Sequence, residues 1–161
     1  MDIRQSTQQD VEKIFELLIC TANWLKDICP QQWPMDWLLS KRQELKQSIE
    51  DGQFYIVEIE DKMAAIFEIK TQSEPVWNHN KRNAYYVHKL AVDQKYKKMN
   101  LGPKIIRTIF DMAKQNKIPV VRLDCVSANS FLKQFYLDQG FSLMGSADDE
   151  GEEVLLFEYV I

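Results

Sequence analysis

The sequence predicts a mixed α/β (α+β) fold, a mostly antiparallel sheet with one parallel crossover and about four flanking helices. Three observations predict it. Helical and strand periodicities alternate along the 161 residues instead of falling into separate halves. Two pairs of strand-like runs are joined by acidic turns, as hairpins are. One stretch, Tyr85 to Val126, reads strand, helix, strand, the order a parallel neighbour needs.

Taken in order, residues 2–5 read as a short strand. Thr7-Gln8-Gln9-Asp10 follows as a capping-box variant with Asp10 in the usual Glu place. Val11, Ile14, Phe15, Leu18, Ala22 and Leu25 recur at helical spacing, so a first helix runs to about residue 26. Cys29-Pro30-Gln31-Gln32-Trp33-Pro34 breaks it. A second helix is expected over 36–51, closed by Gly52. Phe54–Glu58 and Met63–Ile69 form a hairpin around Glu60-Asp61. Residues 70–83 form a polar loop, long enough within a compact domain to suggest function or mobility. Tyr85–Val92 is a strand. From Pro103, Ile105, Ile106, Ile109, Phe110 and Ala113 mark an amphipathic helix. Pro119–Val126 is β-branched strand, and Asn129–Gln139 is a short helix ended by Gly140. Phe141–Met144 and Val154–Tyr159 are the last strands, flanking the acidic turn GSADDEGEE.

The whole length reads as one domain, large enough to bury a core without metal or disulfide. No apolar run approaches the ~20 residues of a membrane span, and Met1-Asp2-Ile3-Arg4-Gln5 opens no secretory signal. Cys20, Cys29 and Cys125 are odd in number and lack metal-ligand spacing, which fits reduced thiols in a cytoplasmic protein. The net charge of −4 argues against nucleic acid as a partner. Yet six of the twenty Lys and Arg fall between Lys89 and Arg107, where even spacing would put two or three. A basic patch in an acidic chain suggests a small anionic ligand.

That patch surrounds "VDQKYKKMNLGPKII", residues 92–106. A strand, a short loop and a helix N-terminus make an anion site, because the first helical amides lack partners and the helix dipole adds positive charge. Gly102 allows positive φ, and Asn100 tolerates left-handed geometry best among other residues. A solvated basic loop before a capped helix explains the same residues, and on their own they leave both readings open.

Two motifs add a resemblance. "KLAVDQKYKKMNLGPKII" resembles the central motif of the GNAT superfamily of N-acetyltransferases, whose core is Gln/Arg-x-x-Gly-x-Gly/Ala; Lys97, Asn100 and Gly102 take those places. "NSFLKQFYLDQGF" resembles the family's N-x-x-A-x-x-F-Y-x-x-x-G-F helix, with Asn129, Phe135, Tyr136, Gly140 and Phe141 in register. The resemblance implies a GNAT-type sheet with a splayed central strand pair. It also implies acetyl-CoA as co-substrate, no metal, and direct attack of an amine on the thioester. Leu90, Ala91 and Val92 would pair with the pantetheine arm. Lys97, Lys98, Met99, Asn100, Leu101, Gly102 and Lys104 would hold the phosphates. Asn129 would contact the arm and Tyr136 would protonate the leaving thiolate. Three departures stand out: Asn100 replaces a glycine, Lys97 replaces an Arg and its bidentate fork, and Pro103 lacks an N–H. The rival from another class is a CoA- or acyl-CoA-binding regulatory module with little catalysis.

A bound ammonium needs a base. His88 has the right intrinsic pKa on the strand before the loop, although a packed strand histidine explains it equally. Glu68 sits among apolar residues that would raise its pKa, although strand alternation favours a solvent-facing carboxylate. Asp124, at a strand end, reads as structural support. Trp33 and Trp77, flanked by polar residues, are the expected acceptor contacts, whereas Trp24 and Trp37 are expected to pack the helix pair. The resemblance implies a small-molecule or peptide amine as acceptor, and the expected protein is a monomer or homodimer with no membrane partner.

Overall fold

The computed structural model describes residues 1–161. Seven strands form one sheet in the order β1-β2-β3-β4-β5-β7-β6, and among the pairings below only β4 with β5 is parallel. The mixed, mostly antiparallel sheet is as expected. The helices number five plus three 3-10 segments, because the expected second helix breaks at Lys41. Contacts divide the chain into two compact units, Met1–Ile69 with Lys89–Gly102, and Lys70–His88 with Pro103–Ile161.

In the first unit, β1 (Asp2–Gln5) pairs antiparallel with β2 (Phe54–Ile59), and β2 with β3 (Lys62–Lys70). The helices α1 (Val11–Leu25), α2 (Met35–Ser40) and α3 (Arg42–Glu50) intervene. Their apolar stripes bury Ile14, Leu18, Leu38 and Leu45 against Phe54, Ile56, Ile66 and Ala91. Entry into α1 is fixed at Asp10. Its Oδ2 accepts the Thr7 N–H at 2.8 Å and the Thr7 hydroxyl at 3.1 Å, while both carboxylate oxygens accept from Arg4 at 2.9 Å.

In the second unit, β4 (Ala84–Val92) pairs parallel with β5 (Val120–Val126), β5 antiparallel with β7 (Glu152–Val160), and β7 with β6 (Ser142–Asp149). The helices here are α4 (Leu101–Gln115), which starts in the first unit, and α5 (Ser130–Asp138). The acidic stretch expected to be a turn is largely strand, and the turn itself is confined to Glu150 and Gly151. The register of β4 with β5 covers three pairs, Ala84 with Val120 to Tyr86 with Arg122, although β4 runs on to Val92.

Candidate active site

Two stretches of β4 carry the candidate chemistry. Its last four residues belong to the first unit, and they begin with an irregularity. Lys89 has φ +48°, left-handed backbone in the middle of a strand, where a residue with a Cβ pays about 1–3 kcal/mol. Its side chain is nearly buried. The Lys89 Nζ donates to Glu68 Oε2 at 2.8 Å and lies 5.8 Å above the Phe54 ring. Glu68 is fully buried, which corrects the solvent-facing carboxylate that strand alternation suggests. The reason is non-local, since the ammonium that compensates it arrives 21 residues later. Leu90 and Val92 are half-buried and Ala91 is buried.

Beyond β4, the Asp93 carboxylate accepts the Lys95 N–H at 2.9 Å and caps a 3-10 segment, Gln94–Met99. The Asp93 N–H donates to the Ala64 carbonyl at 2.9 Å, which ties the loop to β3. Lys95, Lys97, Lys98 and Met99 are exposed. The chain then turns through Asn100 at φ +54° and ψ +42°, and α4 begins at Leu101. Of the two positions suited to left-handed geometry, Asn100 adopts it, and Gly102 is helical. Pro103 is the third helical residue instead of the first. An α-helix has no internal partners for its first four N–H groups, so the missing Pro103 donor costs no helical bond. Leu101 and Gly102 keep theirs.

The second unit holds the other candidate titratable side chains. His88 Nε2 lies 3.3 Å from Glu74 Oε1, a long contact, with both side chains about three-quarters buried. Asp124 is close enough for charge to matter. Burial raises its pKa, the His88 charge opposes that rise, and Asp149 and Glu74 reinforce it. Tyr136 is buried on α5, 5.5 Å from the Phe157 ring and 5.9 Å from Phe141. Burial foremost, then Cys125 and Asp124, pushes its phenol well above the ordinary range, so the proton stays on. Asn129 is buried and its Oδ1 accepts the Leu132 N–H at 3.1 Å, so it caps α5.

Glu74 was not legible as a functional candidate in the sequence. It sits on the expected polar loop, which is in fact anchored. Pro75–Trp77 is a 3-10 turn, and the Trp77 ring stacks 4.3 Å from the guanidinium of Arg122, which is fully buried. Arg122 also donates to the Asn80 carbonyl at 2.6 Å and to Glu158 Oε2 at 2.8 Å, while Glu158 Oε1 accepts from Arg82 at 3.0 Å. Trp77 is 1% exposed and does not present an acceptor wall. The cause is again a distant charge, for Arg122 needs a π face where it leaves water. Trp33 is half-buried against the first unit's core at φ +57°, Trp37 packs there too, and Trp24, expected to pack, is 42% exposed.

Comparison with known proteins bears on the same residues. The Acetyltransferase (GNAT) family model matches residues 19–141. The chain is 28% identical over 151 residues to an uncharacterized N-acetyltransferase of Bacillus subtilis (strain 168), YesJ, covering 89% of this chain and 82% of that one. Its fold resembles a GNAT-family acetyltransferase from Listeria monocytogenes 4b F2365, with a TM-score of 0.81, 26% identity and coverage of 99% and 94%. It also resembles the PaiA N-acetyltransferase of Thermoplasma acidophilum, solved with coenzyme A, with a TM-score of 0.75, 17% identity and 98% of each chain covered.

Proposed function

The chain belongs to the GNAT acetyltransferase family, and on that premise we propose that residues 1–161 act as one catalytic domain moving acetyl from acetyl-CoA to a primary amine of a small molecule or peptide. The observation that carries the reading is the entry into α4. A left-handed Asn100 delivers the chain straight into a helix whose first amides are free, with exposed Lys95, Lys97 and Lys98 beside it. These groups fit a pyrophosphate, since unpartnered N–H groups and the helix dipole favour oxyanions and the lysines add full charges. Coenzyme A in the PaiA structure supports the same reading.

Acetyl-CoA supplies an activated thioester. The chain's own residues do the rest. Leu90–Val92 offer strand backbone to the arm, and Lys97–Gly102 with Lys104 hold its phosphates. His88 is the general base. Glu74 Oε1, 3.3 Å from Nε2, favours the imidazolium that forms when the ring takes a proton from the ammonium of the acceptor. The freed amine attacks the thioester carbonyl, the carbon–sulfur bond breaks, the thiolate takes the Tyr136 phenolic proton, and the second amine proton, lost as the amide forms, returns to the Tyr136 phenolate. Burial keeps the proton on that phenol, and the acid role itself is carried over from the place of Tyr136 in the family motif. Glu68 is committed to Lys89, which makes it a poor base. Asn129 caps α5 through its oxygen and keeps its side-chain N–H groups as donors toward the arm.

Thermal unfolding with acetyl-CoA, CoA and ATP at matched concentrations tests the binding half. Acetyl-CoA and CoA are expected to add about 2.7 kcal/mol at a hundredfold excess over Kd, and ATP much less. Thiol release with a pool of amines tests the transfer half. Absence of both signals overturns the reading; binding without thiol release favours a CoA-binding regulatory module.

A further inference from the structure

The left-handed Lys89 and the buried charge pair it makes call for one explanation. Strand β4 contains a single non-glycine residue at positive φ, and it is the residue immediately before the backbone assigned to the thioester arm. An unbranched lysine gains nothing intrinsic from that conformation, so something must hold it there. The Lys89 ammonium reaches Glu68 Oε2 at 2.8 Å, over the Phe54 ring, with Glu68 wholly inaccessible and Lys89 nearly so. Phe54 and Glu68 are direct partners in the β2–β3 register, so the carboxylate projects from a fixed point of a regular ladder. A surface ion pair would hold nothing. This one is desolvated on both sides, and breaking it would strand a buried charge.

We propose that the Glu68–Lys89 pair is a clamp that keeps β4 in its left-handed turn at Lys89, and that Glu68 and Lys89 are thereby positioning residues for the Leu90–Val92 backbone that receives the thioester arm. The inference rests on the acetyltransferase reading above for its catalytic consequence, but its structural half stands on the fold alone. Neither side chain touches the reacting atoms in this assignment. They act through the direction of the N–H and C=O groups of the following residues, which a regular strand would turn to the other edge.

Glycine supplies the discriminating variant. It adopts positive φ without cost, so it restores the turn without restoring the clamp. Two full-length double variants are compared, E68Q/K89M and E68Q/K89G, in both of which no charge is left buried. Melting temperatures establish that each is folded. Amide chemical shifts of residues 88–92 then report the backbone, and thiol release reports kcat and the KM for each substrate. E68Q/K89M is expected to move those amide shifts and to lose kcat/KM for acetyl-CoA by roughly 10- to 100-fold, as small misplacements do, with the acceptor KM little changed. E68Q/K89G is expected to return the shifts and at least half of the lost rate on a logarithmic scale. A merely structural pair gives two variants equally impaired, or impaired in stability alone, and that outcome overturns the clamp. So does a folded E68Q/K89M with wild-type amide shifts. If the wild-type chain releases no thiol with any amine, the acetyltransferase reading falls, and the amide shifts still judge the clamp.

Discussion

His88 is useful as a base only while the acceptor still carries the proton to be removed, and this condition sets the pH behaviour of its variants. Below the acceptor's own pKa the amine arrives as an ammonium, and general-base assistance is worth about 10²–10⁴-fold. Above that pKa it arrives neutral and needs no base. His88→Gln is therefore expected to cut kcat/KM by about 10²-fold or more at pH 7, with the deficit narrowing steadily as pH rises toward 10. Thiol release measured across that range, on wild type and variant with one amine, checks it. A deficit independent of pH would assign His88 to packing beside Glu74, 3.3 Å away, and not to proton removal. The same residue shows what one strand position conceals. Periodicity places His88 on β4 but says nothing of Glu74, because their approach depends on how residues 70–83 return to the sheet, and that is decided by Arg122, Trp77 and Asn80.

Among the elements, α1 shows the closest agreement between local code and outcome. Thr7-x-x-Asp10 announces a helix start, and the structure makes both bonds from Thr7 to the Asp10 carboxylate and adds Arg4. The Arg4 side-chain hydrogen bonds, foremost, hold the Asp10 pKa down at about 2, against the cost of its burial. A carboxylate depressed from 3.8 contributes stability that is complete above the unfolded value and disappears as pH falls through about 2. Asp10→Ala is expected to lose about 1–2 kcal/mol at pH 7, and its gap from wild type should close as pH drops from 4 toward 2. Urea midpoints at pH 7, 4 and 2.5 check both the loss and its direction; a constant gap would mean that the ionised carboxylate is not what stabilises the cap. Elements whose reasons are local were legible in this way, including α4, β5 and the β2–β3 hairpin. Others had distant reasons. The helix expected over 36–51 breaks at Lys41 without a proline or glycine to mark it. Strands β6 and β7 extend through the acidic stretch up to the Glu150-Gly151 turn, with Asp148 paired to Glu153 and Asp149 to Glu152, which composition alone argues against. Glu68 and Trp77 were misjudged for one shared reason, a compensating cation supplied by a different strand. In the loop proposed for the cofactor, Asn100 was legible as a left-handed position, whereas the start of α4 at Leu101, two residues before Pro103, was not.

For the whole molecule, the relevant quantity is the mismatch between a net charge of −4 and a cationic loop. An acidic protein repels a polyanionic substrate at long range, and only a local field can recruit it. Lys95, Lys97 and Lys98 lie exposed on one 3-10 segment just before the α4 amides, so their fields add where the phosphates are expected. Exposed charges act over about one Debye length, ~8 Å at physiological salt. The proposed capture of acetyl-CoA should therefore weaken as salt is added. The KM for acetyl-CoA is expected to rise about tenfold between low and 0.5 M salt, with kcat nearly constant because the lysines act before chemistry begins. Neutralising all three, K95Q/K97Q/K98Q, should raise the low-salt KM to about the high-salt value and flatten the dependence. Steady-state kinetics at four or five ionic strengths distinguishes this from contact binding. If the triple variant keeps a steep salt slope, the steering charges are elsewhere among the basic residues. If its KM is unchanged at low salt, the free amides at Leu101 and Gly102 hold the pyrophosphate without help, and the lysine-rich loop is only a solvated surface.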